Sequence, residues 1–102
     1  MSEKGQEAQI NPADYAALSN FFRGYLHQDA PIEYGSLPAA AHAFRRDADE
    51  RETTIVRSEL ERLLSETETV SDSKLASIIA ILGASWHFRT RKEVEQLRDA
   101  LK

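Results

Sequence analysis

Ser71-Asp72-Ser73-Lys74-Leu75-Ala76-Ser77-Ile78-Ile79-Ala80-Ile81-Leu82-Gly83 carries the clearest period in the chain. Leu75, Ile78, Ile79 and Leu82 recur at i, i+3, i+4 and i+7, which is one face of an α-helix. Ser71 or Asp72 supplies the N-cap and Gly83 the stop. Ile81 and the alanines around it predict apolar contact over more than half the circumference, and so a central place in the core. Nothing in the chain alternates with period two over a strand's length. The fold class expected is all-α.

Working outward, the same reading finds four more helices. Asn11 as N-cap, Pro12 at the first helical position and Asp14 in the first turn announce the first one, with Tyr15, Leu18, Phe22 and Tyr25 on one face and Gly24 ending or bending it. Residues 24–36 hold Gly24, Pro31 and Gly35 and read as a loop, Ala30 being biased away from helix by the proline after it. A second helix follows Ser36, with Leu37, Ala40, Ala41, Phe44 and Ala48 inward. A third runs from about Glu52 to Ser65 with Val56, Leu60, Leu63 and Leu64 inward and Arg57/Glu61 as an i,i+4 pair. Past the 71–83 helix, an aromatic loop (Trp86, His87, Phe88) leads to a Thr90-x-x-Glu93 capping box and a last helix with Val94, Leu97, Ala100 and Leu101 inward and Arg91/Glu95 paired. The expectation is a flexible tail over residues 1–10 and one compact domain of about five amphipathic helices over 11–102.

At 102 residues, roughly 60–65% of the unfolded chain's surface can be buried, enough for a thin core. There is no cysteine, which removes disulfides, thiolate metal sites and thiol nucleophiles and suits a reducing compartment. The longest apolar run is far short of the ~20 residues that cross a bilayer. The polar start of the chain argues against a secretory signal. A cytoplasmic protein with no membrane partner is expected.

Charge is uneven. Residues 47–72 carry nine carboxylates against three arginines, a local net of −6, whereas residues 73–102 carry a net of +3. An acid block repels nucleic acid and steers cationic partners. The basic residues near Trp86 and Phe88 suggest a small nucleic-acid patch, but the acid block opposes phosphate binding, so no nucleic-acid partner is expected.

Catalytic motifs are missing. His27, His42 and His87 fall on three different elements, with no HExxH pair, no nucleophile elbow and no phosphate loop. His27 and Asp29 could serve a small metal-dependent hydrolase, and a helical adaptor is a further alternative. The simpler reading makes His27-Gln28-Asp29 a loop lock that bonds exposed backbone. Neither catalytic residues, a metal nor a cofactor is expected.

Phe21-Phe22-x-Gly24-Tyr25-x-His27-Gln28-Asp29, followed by Glu33-Tyr34-Gly35, resembles the signature of small bacterial contact-dependent growth inhibition immunity proteins, the CdiI type. Leu82-Gly83 and Trp86 before a last amphipathic helix are similar to that family's C-terminal portion, so the resemblance spans about residues 15–101. Ala30-Pro31 departs from the aromatic and acidic residues expected there, and the last helix lacks a Trp-Leu pair. The resemblance implies a non-enzymatic protein, monomeric alone, that forms a heterodimer with the C-terminal domain of one cognate toxin, typically a nuclease. Phosphate-gripping clefts are cationic, so the acid block is the leading toxin-facing surface, with Asp47, Asp49, Glu50, Glu52, Glu59 and Glu61 as candidates and Trp86 and His87 as the second choice. A motif shared across a family whose toxins differ reads as scaffold more than as specificity.

Overall fold

The computed structural model describes residues 10–102. The expected tail therefore lies outside the described residues except for Ile10, which packs partly buried against the core. Asn11 caps as its position predicts, its side chain accepting the Ala13 N–H at 3.0 Å. The first turn is a 3-10 turn, Pro12–Tyr15, which passes into α1, Ala16–Tyr25. Gly24 lies inside α1 with ordinary helical backbone, and the helix ends one residue later at a Leu26 C-cap. The expected stop at Gly24 is thereby corrected.

The segment expected as loop holds a further helical turn, α2, Ala30–Glu33. Pro31 sits within its first two positions, where its missing N–H costs nothing, and burial of Ala30 outweighs the local bias against helix. Gly35 then turns the chain with φ 84°, a region open to glycine. Helix α3, Leu37–Asp47, starts on a Ser36 cap, and α4, Glu50–Glu66, on a full capping box between Asp49 and Glu52. The third predicted helix thus begins two residues earlier than expected. Helix α5 covers Asp72–Ile81 and α6 covers Arg91–Ala100. The fold is all-α, and no strand occurs among the described residues.

The core is organised around α1 and not around α5. Leu18, Phe21, Phe22 and the following Leu26 are buried, and α1 packs against both α3 and α4. Each such side chain contributes about 1.5–3 kcal/mol of hydrophobic stabilisation. Only one face of α5 is covered: Leu75, Ile78 and Ile79 are buried, whereas Ile81 is 72% exposed. Apolar composition around the whole helix overstated its contacts. The small residues Ala40, Ala41 and Ala43 are buried on α3, as close crossing of helices requires.

Several helix ends are closed by side chains from other helices, which periodicity cannot show. Glu59 of α4 accepts the Leu18 N–H of α1 at 2.9 Å, one of the orphan donors of a helix start. Asp72 of α5 accepts the Arg91 N–H at the start of α6 at 3.1 Å. The Arg91 side chain returns to α4, donating to the carbonyls of Leu64, at 3.2 Å, and Thr67. The predicted Thr90 capping box is half formed and shifted: Thr90 caps without a side-chain bond, and Glu93 accepts from the Arg89 N–H. Neither Arg57/Glu61 nor Arg91/Glu95 is among the ion pairs of the described residues.

Candidate functional site

The signature residues divide by burial. Phe21 and Phe22 are core, while Tyr25 and Tyr34 are half-buried and stack at 6.0 Å between ring centroids. Phe21 stacks on Tyr25 at 5.8 Å, and Phe44 of α3 meets both rings edge-on. Such pairs add about 0.5–1.5 kcal/mol each beyond burial. The signature is therefore one aromatic cluster joining α1 to α3.

His27 is a loop lock. Its Nδ1 accepts the Asp29 N–H at 3.1 Å, which leaves the proton on Nε2, and Nε2 faces Glu33 Oε1 at 3.3 Å. Gln28 and the Asp29 side chain are exposed. The carbonyl of Leu26 accepts from the N–H groups of Ser85 and Trp86, at 2.8 and 3.2 Å, and ties this loop to the second aromatic loop. Among the described residues no group of three His, Asp or Glu side chains converges as a metal site would require.

The acid block is not one face. Glu52, Glu59 and Glu66 are seven residues apart, so they follow one edge of α4 at intervals of about 10.5 Å. That edge runs beside α1. Glu66 accepts the Tyr15 hydroxyl, and Glu59 accepts the Leu18 N–H. Glu52 lines a groove with Phe21 and Tyr25, and at the far end Asp47 of α3 accepts the Tyr25 hydroxyl at 2.8 Å. These four carboxylates form a seam along α1. Burial first, and then the Asp47 carboxylate, pushes the Tyr25 phenol up to about 12. Tyr15 is raised by burial and by Glu66, with Arg62 over its ring at 4.7 Å acting the other way.

The remaining candidates lie elsewhere. Asp49 is used as the cap of α4, accepting the Glu52 N–H at 2.7 Å. Glu50 lines a separate depression with Arg45, Arg57 and Lys102, so cations offset its charge. Glu61 is exposed and, two residues from Glu59, projects from another side of α4. Trp86 is half-buried against the core, and exposed His87 lines an open depression with Asp72, Ser77 and Arg89. Neither joins the seam.

The seam also includes residues that the sequence reading did not single out. Asn20 and Ile55 line the groove beside Glu52, together with Phe44, which was expected as an inward residue of its helix. Ile55 had a signal: it is an apolar residue off the inward stripe of its helix, and it stays 43% exposed.

The sequence model of the CdiI immunity protein family matches residues 14–97. The chain belongs to that family. No curated protein and no solved structure shows a significant match. An immunity protein is a binder of a toxin, and the match covers the seam, the aromatic cluster and α6 as far as Leu97. Among the described residues no helix is long and apolar enough to cross a membrane.

Proposed function

We propose that this CdiI-type immunity protein neutralises one nuclease toxin domain in the cytoplasm by forming a one-to-one complex, with the acidic seam of α1 and α4 toward the toxin. The family match over residues 14–97 carries the reading. The charge distribution supports the choice of surface. Asp47 and Glu52 are exposed at the end of the seam nearest Tyr25, and a nuclease that grips phosphates offers a cationic cleft that carboxylates attract and occupy. Glu59 is engaged by α1 and Glu66 by Tyr15 of the 3-10 turn before it, so they hold the surface in shape and add to its field. Trp86 and His87 are a second contact candidate at the other loop. No catalytic step is assigned to the chain.

The test is reconstitution with the toxin domain encoded beside this chain. Co-elution at one-to-one stoichiometry and loss of nuclease activity are expected. A mixture that retains full activity and separates on gel filtration would refute the reading.

A further inference from the structure

The groove between α1 and α4, closed below by α3, encloses about 170 Å³. Small-molecule sites run from about 300 Å³ upward, so this space suits one long side chain and not a cofactor. Its floor is fixed. Phe21 and Phe44 are buried beneath it, and the half-buried Tyr25 ring is held at its hydroxyl by Asp47. Its walls are Asn20 on α1 and Ile55 on α4, and Glu52 is the charged group on the lining. The Glu52 carboxylate has a weak engagement, a 3.4 Å bond from the Asp49 N–H through one oxygen. No basic side chain lines the groove. An exposed isoleucine, aromatic rings and a carboxylate beside them match the two halves of a long cationic side chain: an apolar stem and a charged head.

We infer that this groove is the anchor for one arginine of the toxin domain, its stem against Ile55 and the rings and its guanidinium on Glu52. Arginine fits better than lysine because its planar head both stacks on rings and forks onto a carboxylate. Asp47, at the Tyr25 end, already holds the Tyr25 hydroxyl on one oxygen and Arg46 at 3.4 Å on the other, so Glu52 is the carboxylate left to meet the incoming charge. The inference rests on the proposed toxin complex and names where that complex is anchored.

The experiment measures the dissociation constant of the full chain for the neighbouring-frame toxin domain, comparing Glu52→Gln, Ile55→Lys and, as a matched charge control away from the groove, Ile81→Lys. Glu52→Gln keeps the helix-start geometry, and Ile55 and Ile81 are exposed, so thermal midpoints near wild type are expected. Losing a desolvated charge partner acts mainly on dissociation, so Glu52→Gln should weaken binding about 10-fold or more. Ile55→Lys should weaken it about 100-fold by placing a cation where the arginine sits, against a small effect of Ile81→Lys. A large loss with Ile55→Lys but none with Glu52→Gln would mean an apolar occupant and overturn the inference. Equal effects of Ile55→Lys and Ile81→Lys would remove the groove from the interface while leaving the toxin complex standing. A wild-type chain that does not bind overturns both.

Discussion

The Tyr25 hydroxyl donates to Oδ2 of Asp47 at 2.8 Å, joining the last residue of α1 to the last residue of α3 and the aromatic signature to the first carboxylate of the acid block. Two features that look separate in sequence are one piece of structure. The ring belongs to the core-facing cluster, and its polar tip fixes a surface anion.

That bond has a titration signature. All three tyrosines are raised above the ordinary value, and Tyr25 reaches about 12. A raised folded-state pKa means stabilisation that is complete below the unfolded value near 10 and is lost as pH rises toward 12. Tyrosinate absorbance of the native protein should show no group ionising at the ordinary value, and thermal stability should fall across that window. Asp47→Asn should lower the Tyr25 midpoint while leaving it above 10, because burial is the larger cause. A Tyr25 midpoint unmoved by Asp47→Asn would contradict the assignment.

Glu59 and Glu61, adjacent in the acid block, should behave differently in stability measurements. Glu59 closes the start of α1 from 41 residues away, and loss of such a cap costs about 0.5–2 kcal/mol. Glu59→Ala should show that loss in denaturant unfolding. Glu61→Ala, at an exposed site, should stay within about 0.5 kcal/mol. Equal effects would show that the cap contributes nothing.

Gly83 has φ 124°, and a Cβ there would lie 3.0 Å from Cγ of Arg23 on α1. Strained backbone of this kind costs about 1–3 kcal/mol for a residue other than glycine. Gly83→Ala should lose stability in that range, whereas Gly24→Ala, inside α1 with open space around it, should gain about 0.5–1 kcal/mol from helix propensity. Unfolding curves of the two variants would check the opposite signs.

Much of the fold was legible because five helices are amphipathic and end on polar or glycine signals. Asn11, Ser36, Ser71 and Gly83 act where their types predict. What was hidden is what depends on partners. Tertiary burial of Ala30 decides α2, a neighbour's absence leaves Ile81 in solvent, and Glu59, Asp72 and Arg91 cap helices other than their own. The candidate surface was legible as a charge and not as a shape. Composition counts Glu50 and Glu52 alike, although one sits among cations and the other beside aromatic rings.

That difference sets a kinetic expectation for the complex. Charges exposed within a Debye length of an approaching cationic surface speed encounter, and salt screens them, with a Debye length of about 30 Å at 0.01 M and about 8 Å at 0.15 M. Association with the toxin domain should slow about 10-fold or more between those ionic strengths while dissociation changes little. Glu52→Lys should slow association more than Glu50→Lys, because Glu50 shares its depression with Arg45, Arg57 and Lys102, whose charges already weaken its pull on a cationic partner. Stopped-flow rates for the two variants across the salt series decide the matter. Equal slowing would place the encounter surface across the whole acid block, and a rate indifferent to salt would remove steering from the mechanism.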